Sequence, residues 1–235
     1  MTKADKLKDL FFPPRCPICD DVTGSGIGSV CEKCRKKLTF IKEPTCLKCG
    51  KPITKETEYC RDCTNRRHYF KKGVSVFEYG SISDSLYRFK NKGRAEYARY
   101  YARAITERHK DFIRAVHPDA LIPVPVHHSK LLKRGYDQSL VLCKEISKLT
   151  KIPVCDKLIV RSKKTVPLRD LGIRERQINL NKAFKIGLND VKLKTIIIID
   201  DIYTTGSTID EISRTVLERF PCDIYFITLT VGRGI

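Results

Sequence analysis

A buried strand that ends in two carboxylates constrains the fold of this chain more than any other stretch. Residues 195–199 form a β-branched run without polar alternation, which is typical of a strand buried on both faces inside a parallel sheet. The run stops at Asp200 and Asp201, a short polar loop follows over residues 202–208, and an apolar pattern at helical spacing begins at Ile209. The stretch therefore predicts a strand–loop–helix unit of an α/β sheet.

The loop after this strand has the composition of a phosphate site. Open α/β sheets bind ligands at the carboxyl ends of strands, and a helix N-terminus offers free N–H groups and a positive dipole end to an anion. Gly206 lets the backbone approach the anion without a Cβ. Hydroxyl donors surround it at Thr204, Thr205, Ser207 and Thr208. A strand end followed by ordinary helix-capping residues is the alternative.

The two acids indicate that the ligand is more than a phosphate, because their charges repel one. Asp200 and Asp201 can accept hydrogen bonds from vicinal sugar hydroxyls, and can help to hold Mg²⁺ through water. A sugar, a 5′-phosphate and magnesium together describe a ribose phosphate. With the strand before it, the segment 200–208 resembles the motif that binds phosphoribosyl pyrophosphate (PRPP) in type I phosphoribosyltransferases.

That resemblance implies roles for individual residues. Asp200 and Asp201 would be the catalytic acids, and residues 204–208 would hold the 5′-phosphate. In the family, a turn after another apolar strand cradles pyrophosphate. The apolar strand here is predicted at residues 120–126, so the candidates for pyrophosphate are Val124, Pro125 and His127. A solvated loop histidine without a role in binding is the alternative for His127.

Cysteine spacing predicts a metal-binding module at the N-terminus. Eight of the 11 cysteines form four CxxC pairs before residue 64, namely Cys16/Cys19, Cys31/Cys34, Cys46/Cys49 and Cys60/Cys63. Tetrahedral Zn²⁺ takes four thiolates, so two structural zinc sites are predicted, with sequential pairing as the simplest scheme. Cross-braced pairing, a single metallated site and redox dithiols are the alternatives. Complete sets of four thiolates leave no open position for water or substrate.

The formal net charge of +19, from 46 Lys and Arg against 27 Asp and Glu, favours polyanionic partners. Aromatic residues interleaved with cations are typical of sites that hold single-stranded nucleic acid, and such a mixture occurs over residues 87–103. The candidate contacts are Lys36, Lys37, Lys90, Lys92 and Arg94. A solubilising ribbon, and an amphipathic helix whose tyrosines pack on the sheet, are the alternatives.

Two modules follow from these patterns. Residues 1–67 have too little apolar content for their own core, so we expect a double zinc ribbon that is folded by its metal. Residues 73–235 alternate strands with helices, which predicts an α/β domain. Its other strands are predicted at 73–80, 120–126, 157–160 and 223–229. The charged stretch 161–179 suits a mobile lid or an ordinary surface loop.

The compartment is expected to be the cytosol, where thiols stay reduced. The N-terminal residues lack the apolar core of a signal peptide, and no apolar run approaches the length of a membrane span. We therefore expect no membrane insertion.

The order of the motifs resembles the ComF family of competence-associated proteins over nearly the whole chain. The CxxC pairs are followed by FKNKGR, by LIPVPVHHSKLLKRGYDQS, by Thr165, Arg176 and Asn179 in the charged stretch, and by the 197–208 motif. The resemblance implies a type I phosphoribosyltransferase fold, with a Rossmann-like parallel sheet, flanking helices and a lid, behind a small zinc ribbon. It also implies a role with the DNA-uptake machinery of natural transformation. Family members commonly carry Asn and Gln where this chain has Asp137 and Leu168.

Together these observations predict a protein that binds Mg-PRPP and transfers its phosphoribosyl group to an acceptor that the sequence does not identify. In the alternative, the PRPP pocket is retained without chemistry, as a sensor of nucleotide status. The ribbon and the tyrosine-rich helix would then hold single-stranded DNA.

Overall fold

Four parallel strands form the main sheet, and a separate antiparallel pair packs into the same core. The computed structural model describes residues 13–23, 29–162, 183–187 and 192–232. In chain order its strands are β1 (Lys72–Glu78), β2 (Ala120–Pro123), β3 (Ile159–Arg161), β4 (Phe184–Ile186), β5 (Thr195–Tyr203) and β6 (Asp223–Val231). The order of the main sheet is β1-β6-β5-β2.

β5 is an inner strand, as its composition predicts. Ile196 and Ile198 pack into the core on one face of the sheet, and Ile197 and Ile199 pack into the core on the other. The predicted end of the strand is wrong, because β5 continues through both acids to Tyr203. The neighbouring strand β6 is the physical reason, since it supplies partners in register as far as Val231.

The four other predicted strands need correction, and the one predicted at 73–80 is β1, which ends at Glu78 because a helix begins at Tyr79. The strand predicted at 120–126 ends at Pro123, because the chain turns away from β5 after Val124 donates its N–H to the Ile199 carbonyl at 3.0 Å. The strand predicted at 157–160 is β3, which pairs only with β4 and lies outside the main sheet. The final strand, predicted at 223–229, extends two residues further along β5.

Eight α-helices lie within the described residues, with a 3₁₀ turn at Ala95–Tyr97. They are α1 (Glu32–Arg35), α2 (Arg61–Asn65), α3 (Tyr79–Asn91), α4 (Ala98–Arg108), α5 (Lys110–Val116), α6 (His128–Arg134), α7 (Gln138–Thr150) and α8 (Ser207–Leu217). Helices α4 and α5 are separated at His109. Gly135 ends α6 with φ of +80°, and α7 begins at Gln138.

The two faces of the sheet are covered differently. Helices α3, α4 and α7 contribute the buried side chains on one face. The other face is covered by α8, by β3 and β4, and by the second half of the cysteine-rich segment, whose Cys46 and Cys49 belong to the same core. This half is called the second ribbon and contains Cys46, Cys49, Cys60 and Cys63. It covers part of a sheet face that a helix would otherwise have to cover.

The tyrosine-rich helix packs inward. Tyr97 and Tyr101 are fully buried, and the ring of Tyr101 makes an edge contact with Phe89 at 5.4 Å between centroids. The interpretation that these tyrosines pack on the body is confirmed, and neither ring is accessible to a stacked base. Tyr87, which lies on α3 within the same aromatic and basic stretch, is instead 56% exposed.

The first ribbon, which contains Cys16, Cys19, Cys31 and Cys34, contacts the helical face of the body through Asp20. Its carboxylate lies 2.8 Å from the Arg94 guanidinium and accepts a hydrogen bond from the Tyr97 hydroxyl. Arg88 and Ser85 donate to the Ile18 and Pro17 carbonyls of the same ribbon. These contacts join the modules predicted at 1–67 and 73–235.

Two further expectations concern the predicted lid and membrane insertion. The predicted lid at 161–179, with Thr165, Leu168, Arg176 and Asn179, lies outside the described residues beyond position 162. As for membrane insertion, no described helix combines the length and the apolar character that a membrane span requires.

The contacts of Asp20 predict a stability effect. We expect Asp20→Asn to lower the free energy of unfolding by about 1–3 kcal/mol, since it removes the charge that Arg94 and Tyr97 bind. Asparagine tolerates the φ of +70° at this position, so the backbone is not the cause. Urea unfolding of the zinc-loaded protein measures the effect, with the exposed Asp21→Asn as the matched control. An equal loss in both variants would contradict the assignment.

Candidate ribose phosphate site and thiol clusters

The two acids stand side by side at the carboxyl end of β5. Asp201 is 6% exposed, and Asp200 is half-buried. The Asp201 N–H donates to Asp200 Oδ1 at 2.9 Å, and the Ser139 hydroxyl lies 3.5 Å from the same oxygen. The pair therefore presents carboxylate oxygens at the edge where α/β sheets bind ligands.

The electrostatics of the pair are unfavourable without a ligand. Burial, followed by the adjacent charge of Asp201, raises the pKa of Asp200 to about 7. The charged form of Asp200 is therefore only partly populated near neutral pH. A cation or hydroxyl donors at this place would favour the charged form.

Cations that the sequence did not connect to the acids surround them. Lys90 Nζ lies 2.8 Å from Asp201 Oδ2. Burial, and then the charges of Arg161 and Arg134, lower the pKa of the half-buried Lys130. Burial also lowers the pKa of Arg161, whose guanidinium lies 5.3 Å from the centre of the Phe184 ring. An anion would balance the charge of these crowded cations, and a metal ion bound to that anion would balance the charge of the two acids.

The loop beyond the acids has the geometry of an anion site. Gly206 has φ of +81°, and a Cβ there would lie 2.6 Å from the Tyr203 hydroxyl, so glycine is required. The N–H groups of Ser207, Thr208 and Ile209 make no backbone hydrogen bond within the described residues. Thr205 and Ser207 are buried, with their hydroxyls 2.9 Å apart. The loop predicted at 202–208 is shorter than expected, because β5 continues to Tyr203 and α8 already begins at Ser207.

The predicted pyrophosphate turn offers fewer donors than expected. The Val124 N–H is used by Ile199, and Pro125 has none. The ring of His127 caps α6 by accepting the Ser129 N–H at 3.2 Å. In the described part of the chain, the N–H groups of His127 and His128 make no hydrogen bond. These two amides are the donors that remain at the turn.

Asp137 acts on the protein's own backbone. Its carboxylate accepts the Leu140 N–H at 3.0 Å, which caps α7, and the Val126 N–H at 3.1 Å. The side chain thereby fixes the turn between β2 and α6. Asp137 fills this structural role although the resembled family commonly has Asn here.

The eight N-terminal CxxC cysteines form two groups of four. Cys16, Cys19, Cys31 and Cys34 form one group, and Cys46, Cys49, Cys60 and Cys63 form the other. Within each group all four sulfurs lie within 4.8 Å of one another. Sequential pairing is thus confirmed over cross-bracing, and the donor set is the one that structural zinc prefers.

The candidate nucleic-acid residues separate into two classes. Lys36, Lys37 and Lys92 are exposed at the surface. Lys90 contacts Asp201, and Arg94 contacts Asp20 in the first ribbon. The first class is available to a polyanion at the surface, where Lys36 pairs with the exposed Glu32 at 3.6 Å, whereas the second class would have to leave partly buried ion pairs.

Sequence comparisons agree with this architecture. Residues 7–64 match the family model of the double zinc ribbon domain. The chain is 30% identical over 210 residues to Competence protein F of Haemophilus influenzae, covering 87% of this chain and 91% of that protein. It is 27% identical to the DNA utilization protein YhgH of Escherichia coli K12, covering 89% and 93%.

The matched ribbon and the parallel sheet define a double zinc ribbon protein with an α/β body. More narrowly, the chain belongs to the ComF family. The predicted parallel α/β sheet and the predicted double zinc ribbon are confirmed by the main sheet, by the two thiol groups and by the ribbon match.

Among solved structures, the chain is similar to hypoxanthine phosphoribosyltransferase of Trypanosoma cruzi. It is 17% identical, with a TM-score of 0.38, over 59% of this chain and 67% of that chain.

The raised pKa of Asp200 predicts how stability depends on pH. The pKa of Asp200 in the folded protein, about 7, exceeds the ordinary value of 3.8, so ionisation of Asp200 destabilises the native state as pH rises from about 4 to 7. We expect Asp200→Asn to stabilise the protein at pH 8 by more than about 1.4 kcal/mol, which corresponds to one pKa unit. The difference from wild type should vanish near pH 4.

Urea unfolding at the two pH values measures this difference. The exposed Asp156→Asn serves as the control and should change stability little at either pH. An Asp200→Asn variant that is less stable than wild type at pH 8 would show that the acid pair is not under electrostatic strain.

Proposed function

We propose that this protein binds Mg-PRPP at the carboxyl end of β5 and uses the phosphoribosyl group during DNA uptake. The observation that carries the proposal is the acid pair Asp200 and Asp201 directly beside the glycine loop with free N–H groups. A phosphate site alone would not retain two repelling carboxylates. The relatives named for competence and for DNA utilization support the cellular role.

Each part of PRPP has a counterpart in the site. The 5′-phosphate would accept hydrogen bonds from the amides and hydroxyls of residues 205–208. The ribose hydroxyls would donate to Asp200 and Asp201. Lys90, Lys130 and Arg161 would neutralise the pyrophosphate, with the amides of His127 and His128 as donors.

Magnesium fits the carboxylate donors of this site. When bound, Mg²⁺ supplies positive charge that neutralises the pyrophosphate. The chain itself supplies cations from three separate segments, at Lys90, Lys130 and Arg161. Lys90 would exchange its contact with Asp201 for a contact with the pyrophosphate.

The reaction would be a transfer of the phosphoribosyl group to a nitrogen acceptor. As the bond from the anomeric carbon to pyrophosphate breaks, positive charge develops on the ribose. The charged carboxylates of Asp200 and Asp201 would stabilise that charge electrostatically.

Both thiol clusters are proposed to hold structural zinc. Each presents four sulfurs in one place, so neither leaves a position open for substrate. Zinc would supply part of the folding free energy of residues that have little apolar core of their own.

Calorimetric titration with PRPP tests the pocket. We expect binding that requires Mg²⁺ and that weakens by at least about tenfold in Asp201→Asn, because the variant loses a carboxylate that faces the ribose and the metal. The Asp156→Asn variant should bind as wild type does. Absence of binding to folded, zinc-loaded wild type would refute the proposed function.

A second candidate function, single-stranded DNA binding without chemistry, is favoured by the exposed cations Lys36, Lys37 and Lys92 together with the net charge of +19. We expect Lys36→Ala/Lys37→Ala to weaken oligonucleotide binding. The slope of log K against log salt should fall by about 1.4, since each phosphate contact contributes about 0.7 for single strands. Fluorescence anisotropy at several salt concentrations measures the slope.

The control for DNA binding is Lys144→Ala, an exposed lysine on α7. An unchanged salt slope in the ribbon variant would remove the first ribbon as the DNA-binding face.

A further inference from the structure

The second thiol cluster lies in the same core as the floor of the phosphate loop. Cys46 and Cys49 share one hydrophobic core with Tyr203, the last residue of β5. The Tyr203 ring stacks on Phe226 at 4.7 Å between centroids, and Lys51 of the ribbon lies over it with Nζ 5.7 Å from the ring centre. The ribbon thus helps to fix the position of this tyrosine.

Tyr203 in turn determines where the loop runs. Its hydroxyl lies 2.6 Å from the position that a Cβ on residue 206 would take, so the ring packs directly against Gly206. The Tyr203 carbonyl accepts the Gly232 N–H at 2.7 Å, which holds the backbone before the loop. A displacement of the ring would therefore displace Gly206 and the amides that follow it.

A second connection runs through Asp210, in the first turn of α8. Asp210 Oδ2 lies 2.8 Å from His68 Nδ1, and Oδ1 accepts the Tyr69 N–H at 3.2 Å. Residues 68 and 69 leave the second ribbon after α2, and the buried His68 ring stacks on Phe70 at 4.8 Å. The Asp210 N–H donates to the Gly206 carbonyl at 2.8 Å. One carboxylate thus connects the ribbon exit to the loop.

The first thiol cluster has no such connection among the described residues. Cys16 and Cys34 pack with Val30 and the partly buried Tyr100, next to the helical face of the sheet. The two clusters therefore differ in their relation to the loop, although their ligands are the same.

We propose that the second ribbon positions the phosphate loop, so that zinc in the cluster of Cys46, Cys49, Cys60 and Cys63 and phosphate on residues 205–208 bind cooperatively. Asp210 and Tyr203 are the positioning residues of this coupling. The proposal rests on the proposed function for the identity of the ligand, with ribose 5-phosphate as the probe. Coupling between two sites is reciprocal, so each ligand must tighten the other.

The Asp210→Asn variant separates positioning from simple electrostatics. Asp210 is a negative charge near the phosphate loop, so its neutralisation alone would strengthen phosphate binding. Loss of the connection to His68 and Tyr69 would instead weaken binding of ribose 5-phosphate, and we expect a decrease of about fivefold or more. Calorimetry measures the affinity, with Glu218→Gln at the exposed residue that follows α8 as control. Tighter binding in Asp210→Asn would overturn the proposal.

The wild-type protein gives the reciprocal measurement. Zinc is removed slowly by a chelator, and the freed thiols are alkylated and located by peptide mass spectrometry. Saturating ribose 5-phosphate should slow the alkylation of the second cluster by about fivefold or more and leave the first cluster unchanged. Equal effects on both clusters, or no effect on either, would overturn the proposal.

Failure of the proposed function is recognised separately. If wild type does not bind ribose 5-phosphate at all, hydrogen exchange of the amides of residues 204–210 is compared before and after zinc removal. Coupling predicts faster exchange when the second cluster loses its metal, whatever ligand the loop serves. Unchanged exchange at these amides would refute the coupling itself.

Discussion

Two like charges at the end of a buried strand are the constraint on which the site depends. Asp200 and Asp201 are consecutive residues of β5, and the pairing of β5 with β6 continues past both of them to Val231. That pairing fixes their backbone, so neither residue can move away from the sheet without breaking the ladder. Burial, and then the repulsion from Asp201, raises the pKa of Asp200, while Lys90 moderates the repulsion. Sites that store such unfavourable energy without a ligand gain from binding one that carries the missing positive charge.

The zinc ribbon is part of the body's architecture. The first ribbon is bound to the helical face through Asp20 and Arg94, and the second shares a core with β5, β6 and α8. A sheet must cover both of its faces, and here a metal-binding segment covers part of one. This chain therefore joins a cysteine-rich module to a sheet that the module helps to cover.

Local sequence patterns predict the strands and the thiol pairs, but they do not predict the contacts between residues that are far apart in the sequence. The run before Asp200 identifies a buried strand by composition, and the CxxC spacing identifies the thiol pairs. Lys90, Lys130 and Arg161 come from three separate segments, and nothing in their spacing indicates that they meet at one acid pair. The end of β5 was missed because it depends on its neighbour β6. The contact of His68 with Asp210 joins residues 142 positions apart, which no local pattern encodes.

The most direct test of the account is a crystal structure of the zinc-loaded protein grown with ribose 5-phosphate and MgCl₂. The account predicts the phosphate on the amides of residues 205–208 and the ribose hydroxyls within hydrogen-bond distance of Asp200 and Asp201. A ribose 5-phosphate bound elsewhere, with the acid pair still in contact with Lys90 and the loop without an anion, would contradict it.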